Sequence, residues 1–195
     1  CLYFLAGGLH PHQDPYYLHL ARVHLDTGDL QLLTKENGTH EIEWSPDFET
    51  FVDRWSRIDL PPVHQLRRTR DGSLIADLHR AGVTRLKEAG WVPPERFQAP
   101  GRDGRTAIHG IILRPPAFDP SQHYPVVENI YAGPHNQHVP KAFSVLHPLH
   151  KLASLGFVVG RVDGMGTNWR SKAFHDVCWK NLKDAGFPDR IAWMK

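Results

Sequence analysis

A chain of 195 residues, 41% hydrophobic and 23% charged, is long enough to bury one large core or two modest ones. Its formal net charge of +2, with no Lys/Arg block and no apolar run of membrane-spanning length, argues neither for nucleic acid nor for an anionic membrane as partner. Two cysteines, Cys1 and Cys178, exclude a disulfide framework and leave the redox compartment open.

The first 78 residues read as strands joined by turns. Leu2–Ala6 is an apolar run stopped by Gly7-Gly8. Residues 17–25 alternate, with Leu18, Leu20 and Val23 set against His19, Arg22 and His24, which predicts a strand with one buried face. Thr27-Gly28-Asp29 supplies turn chemistry, and residues 30–33 return as the partner strand. The cycle repeats with strands over 41–44 and 50–56 around Ser45-Pro46-Asp47, then over 63–69 and 73–78 around Arg70-Asp71-Gly72. The hairpin turns recur after about 45 residues, the size of a four-stranded propeller blade. Periodicity alone fits a β-sandwich equally well.

A junction follows between residues 79 and 96. Residues 79–89 predict a short helix with Leu78, Val83 and Leu86 on one side, stopped by Gly90-Trp91-Val92-Pro93-Pro94. Residues 97–99 and 106–113 flank Gly101-Arg102-Asp103-Gly104 as an antiparallel pair, which Pro115-Pro116 ends. From Tyr124 to Gly166 the pattern is strand, helix, strand. The first strand covers residues 126–131 and stops at Gly133-Pro134. The helix starts at Pro148, whose missing N–H costs nothing there, and closes at Gly156, with Leu149, Leu152 and Ala153 on one face. Residues 157–162 form the second strand, ending in Asp163-Gly164-Met165-Gly166. Such a unit requires parallel strands and a right-handed crossover. Residues 172–182 then predict a helix with Phe174, Val177, Cys178 and Leu182 as its apolar face. Residues 190–195 begin another, led by Pro188 and Asp189, an acidic residue that would favour the positive helix end.

The run Tyr131-Ala132-Gly133-Pro134, the later Leu-Ala-x-x-Gly-Phe-Val-Val segment and the Asp-Gly-x-Gly turn together form a specific combination. It resembles the opening of the catalytic domain in the prolyl oligopeptidase family of serine peptidases, in its dipeptidyl peptidase IV branch. Trp44-Ser45-Pro46-Asp47, Phe51-Val52-Asp53 with Ser56, and Pro61-Pro62 look like the last blades of that family's β-propeller. The resemblance therefore implies all-β plus α/β: propeller blades over residues 1–88, then the N-terminal part of an α/β-hydrolase domain over 89–195, in a piece of a longer protein.

An α/β-hydrolase needs its serine on a sharp strand-to-helix turn between small glycines, and no Gly-x-Ser-x-Gly occurs in these residues. The resemblance puts the nucleophile, Asp and His of the triad beyond Lys195. It makes Tyr131 the oxyanion-hole tyrosine. A phenol hydroxyl is a donor at neutral pH, and α/β sheets place ligands at strand carboxyl ends. A Tyr that merely packs at a strand end is the competing reading.

Fourteen histidines are many, and His135/His138 and His147/His150 have spacings that metal ligands use. No Cys pair, His-Glu-x-x-His or carboxylate cluster accompanies them, so no metal and no cofactor is expected. Gly164-Met165-Gly166-Thr167 lacks the third glycine and the Lys-Ser/Thr of a phosphate-binding loop. In the family that turn commonly reads Gly-Arg-Gly-Ser; Met cannot replace the planar fork of donors an Arg supplies, so the local contacts must differ.

The function implied is a serine-type peptidase hydrolysing short peptides through an acyl-enzyme, dipeptidyl or prolyl peptidases being the specificities the resemblance offers. A non-catalytic binding protein on the same scaffold, or an esterase or acyl-peptide hydrolase, remains open. The expected partner is a peptide substrate, with a homodimer of the full-length protein allowed by the resemblance. Periplasm, secretion and cytoplasm are equally open.

Overall fold

A computed structural model describes all residues from Cys1 to Lys195. The chain divides into two compact units, one of Cys1–Val83 with Lys141–Phe143, the other of Thr84–Pro140 and Ser144–Lys195.

In the first unit the predicted alternation becomes antiparallel strands throughout. Strands β1 (Leu2–Ala6), β2 (His19–Val23) and β3 (Leu30–Leu32) form one sheet in chain order, and β4 (Thr39–Trp44), β5 (Thr50–Arg57), β6 (Leu60–Arg68) and β7 (Leu74–Arg80) form a second. The β6–β7 turn needs Gly72: its φ is +73°, and a Cβ there would lie 2.2 Å from the Leu33 carbonyl oxygen. Leu20, Leu33 and Phe51 are buried together, with Tyr3, Ile42 and Trp44 packed against them. A charged network lies in the same unit. Asp53 and His40 are buried and hydrogen-bonded at 2.7 Å. Arg67 Nε lies 3.1 Å from Asp53 as an ion pair without hydrogen-bond alignment, and Arg67 Nη2 pairs with Glu36.

The second unit opens with α1 (Thr84–Glu88), which buries nothing. The expected helix over 79–89 is shorter because residues 79 and 80 continue β7 instead. Next come β8 (Glu95–Pro100), β9 (Ala107–Leu113), β10 (Val126–Glu128), α2 (Pro148–Ser154) and β11 (Val158–Asp163). The sheet order is β10-β11-β9-β8. β10 and β11 are parallel, with Val126 opposite Val158, while β8, β9 and β11 pair antiparallel. The crossover helix α2 has Pro148 in its first turn, His147 as N-cap, and Gly156 at φ +96° just past its end.

Alternation along β11 distributes its residues to two faces. Val162 packs with Ile108, Met165, Phe174 and Trp193 of α4 (α3, Lys172–His175, precedes; α4 spans Phe187–Trp193). Arg161 and Asp163 point the other way, toward His138 and His147. The helix expected over 172–182 is cut short. α3 gives way to a 3-10 turn, Asp176–Cys178, and Trp179 turns extended before Lys180 takes φ +55°. Phe174 and Cys178 are buried as expected, but Leu182 is exposed. The last helix starts earlier than expected, at Phe187, after Gly186 in the left-handed region.

Candidate active site

Tyr131 sits three residues past β10 in a loop rather than inside the strand, a correction to the strand expected over 126–131. The parallel ladder carries one step further, since Asn129 N–H donates to the Gly160 carbonyl at 2.9 Å. Gly133-Pro134 then prevents the segment from continuing as a strand. The backbone of Tyr131 is tied down from below: buried Arg190 of α4 donates to its carbonyl at 2.6 Å and pairs with Glu128 of β10. The phenol ring is half-buried, lies close to Gly133, and its hydroxyl makes no hydrogen bond within the chain. An ideal Cβ on Gly133 would come within 3.3 Å of that hydroxyl.

The His138 ring lies against Tyr131, centroids 5.4 Å apart and planes tilted by 37°. Burial, then the Arg161 guanidinium, lowers the His138 pKa below the usual histidine value. The carboxylate of Asp163, fully buried at the end of β11, accepts from the backbone N–H of His138 at 2.7 Å and of Val139 at 3.0 Å. Arg161 reaches Asn129 through Nη2 and the His138 carbonyl through Nη1 at 3.4 Å. Burial also depresses the pKa of Arg161 itself. His147 is pushed down to about 4, by burial first and then by Arg161. Its two nitrogens face donors, Leu149 N–H at 3.3 Å and Arg161 Nη1 at 3.4 Å. A neutral imidazole has only one acceptor nitrogen, so only one of these long contacts is a hydrogen bond at any time.

The turn after β11 is held by a different acid. Asp189 is fully buried, and instead of serving the start of α4 it binds Met165 N–H at 2.9 Å and the Arg102 backbone and guanidinium at 2.8–3.2 Å. Asp184 takes the other arm of Arg102 at 2.7 Å, and that contact lowers its pKa. Met165, which stands where the resembling family commonly has Arg, turns inward and packs against Ile108, Val162, Phe174 and Trp193. Beside the Tyr131 loop an open, mainly apolar cavity of about 500 Å³ is lined by Pro134, His135, His175, Cys178, Trp179 and Leu182.

Of the histidine pairs, His138 and His147 both face Arg161, a poor neighbour for a bound cation, while His135 is exposed. Glu36, His40 and Asp53 of the first unit do gather ligand-type atoms within 4.8 Å, but the Arg67 guanidinium already pairs with both carboxylates. Sequence reasoning singled out Tyr131, weighed His138 only as a metal ligand, and gave no part to Arg161, Arg190 or the contacts that Asp163 and Asp189 make. Only Arg161 left a signal, a charge within the otherwise apolar run Phe157-Val158-Val159-Gly160-Arg161-Val162.

Residues 142–195 match the prolyl oligopeptidase family. The chain is 29% identical over 200 residues to the "Probable dipeptidyl-aminopeptidase B" of Emericella nidulans, covering 100% of this chain and 21% of that protein. It is 29% identical over 187 residues to the protein of the same name from Neosartorya fischeri, covering 94% of this chain and 20% of that protein. The crystal structure of Porphyromonas gingivalis dipeptidyl peptidase 4 superposes on 97% of this chain and 26% of its own, with TM-score 0.75 and 25% identity. The chain thus spans about a fifth of the length of these curated relatives. The matched segment, the relatives and the sheet-dominated fold all point the same way: the chain is similar to the prolyl oligopeptidase family of serine peptidases, on its dipeptidyl peptidase IV-like branch.

Proposed function

We propose that the protein carrying this chain is a serine-type peptidase that cleaves short peptides through an acyl-enzyme, releasing dipeptides or cutting after proline. In this reading residues 1–88 are the last blades of a β-propeller and residues 89–195 open an α/β-hydrolase domain. The serine, aspartate and histidine of the triad are supplied outside these 195 residues. Tyr131 contributes the oxyanion donor. What carries the reading is a phenol hydroxyl with no partner in the chain, on a loop directly following a parallel strand and anchored by Arg190. A donor already in position when charge develops on the attacked carbonyl oxygen lowers the barrier without reorganisation.

Tyr131→Phe in the full-length enzyme keeps the ring and removes the donor. It is expected to lower kcat by roughly a hundred- to a thousand-fold, about 3–4 kcal/mol, with KM and melting temperature little changed. Kinetics on an Xaa-Pro chromogenic substrate beside a thermal melt measure this. A variant that keeps more than about half of wild-type kcat removes Tyr131 from the mechanism, because even a weak hydrogen bond is worth more than that.

A further inference from the structure

We infer that His138 is a positioning residue that orients the Tyr131 phenol toward the oxyanion. The inference rests on the reading of Tyr131 as the oxyanion donor. Tyr131 is tethered through its backbone alone, by Arg190, and its ring has two free torsions and no hydrogen bond of its own. A donor so placed is useful only if something rigid limits where the ring goes. His138 supplies that surface, with ring centroids 5.4 Å apart.

The His138 ring is itself fastened to the sheet. Its backbone N–H is held by Asp163 at 2.7 Å, and its Nε2 lies 3.0 Å from Asn129 Oδ1. Asn129 is gripped in turn by Arg161 Nη2. A guanidinium can only donate, so the Asn129 atom it meets is the oxygen, and the hydrogen of the His138–Asn129 bond therefore sits on Nε2. In the neutral ring Nδ1 is then bare. His138 has its one ring proton committed to Asn129 and none to offer an oxyanion, which leaves orientation as its role. Arg161 and Asp163 belong to β11, so a loop tyrosine is braced by a ring anchored to a buried strand. Displacing a reacting group by about 1 Å costs up to roughly a hundred-fold in rate.

The test is a double-mutant cycle in the full-length enzyme, with kcat referred to the fraction of enzyme titrated by a fluorophosphonate. His138→Gln keeps a donor toward Asn129 and removes the ring; His138→Phe keeps the ring and loses the donor. His138→Gln is expected to lower kcat about ten- to a hundred-fold with KM within about two-fold, and His138→Phe to recover much of that loss. Tyr131→Phe/His138→Gln should be no slower than Tyr131→Phe alone, since a ring without its hydroxyl has nothing to orient. Wild-type kcat in His138→Gln, or losses that multiply in the double variant, overturn the inference while the role of Tyr131 stands. Wild-type kcat in Tyr131→Phe instead sinks the oxyanion reading, and the inference falls with it. Should His138→Gln fail to fold, the same cycle with His138→Leu, which also removes the ring, decides: losses that multiply with those of Tyr131→Phe overturn the inference, and non-additivity supports it.

Discussion

Met165 shows what a single residue reveals in sequence and what it hides. Its departure from the family's arginine was visible; that it joins the apolar layer between the sheet and α4 was not, because Ile108 and Trp193 lie far away in sequence. Asp189 is a parallel case. An acid at a helix start reads as a dipole partner, yet its carboxylate serves Arg102 and Met165, 87 and 24 residues away. Such long-range partners leave no local signature. The inward methionine yields a direct expectation. Met165→Leu conserves volume and polarity and should cost less than about 1.5 kcal/mol. Met165→Arg places a guanidinium among Val162, Phe174 and Trp193 with no carboxylate reserved for it, and should cost on the order of 3–5 kcal/mol. Denaturant unfolding of the two variants decides; equal midpoints would mean the side chain is free to leave the core.

Elements with strong end signals were legible and those without were not. Pro148 and Gly156 bracket α2 because a missing N–H and a left-handed φ are requirements of helix ends. The parallel pairing of β10 with β11 followed from the crossover between them. α3 was overextended because Val177 and Leu182 fit a helical period that the chain abandons at Trp179 and Lys180. The cap of α2 carries a pH dependence. Unfolded His147 takes up its proton near 6.5 and the folded residue only near 4, facing Arg161, His138 and His150. Between those values the unfolded chain binds more protons, so stability falls as pH drops from about 6.5 to about 4 and the loss is complete below that. His147→Asn keeps a cap acceptor for Leu149 N–H and removes the titration. The drop in melting temperature between pH 7 and pH 5 should therefore be smaller in the variant. It should not vanish, because His19 in the first unit is also lowered to about 4, chiefly by burial. An unchanged drop would mean His147 titrates alike in both states.

For the molecule as a whole, the switch from hairpins to an α/β pattern near residue 80 was readable from periodicity, since a period of two gives way to a strand–helix–strand alternation. The chemistry of the whole was less readable, because no Gly-x-Ser-x-Gly elbow occurs in these residues, and several of the serines that are present are engaged in hydrogen bonds within the chain. Ser171 caps α3 by accepting from Phe174 N–H, and Ser45 bonds Asp47 and the Thr50 carbonyl. Ser56 accepts from Phe143 N–H, and Ser154 donates to the Lys151 carbonyl. None of these hydroxyls is hydrogen-bonded to a histidine, the contact that activates a serine by removing its proton. Caps and turns hold a hydroxyl as a structural donor or acceptor and leave its nucleophilicity at that of an alcohol in water. A fluorophosphonate, which reports activated serines, should accordingly leave the 195-residue chain unlabelled. The full-length protein should instead take up one equivalent, at a serine within a Gly-x-Ser-x-Gly elbow. Tyr131→Phe in that protein should label more slowly and to the same final stoichiometry, since the phosphonyl oxygen occupies the position of the oxyanion while the nucleophile is intact. Mass-spectrometric mapping of the labelled peptide reads all three outcomes, and a modified serine between residues 1 and 195 would overturn the assignment of these hydroxyls to caps and turns.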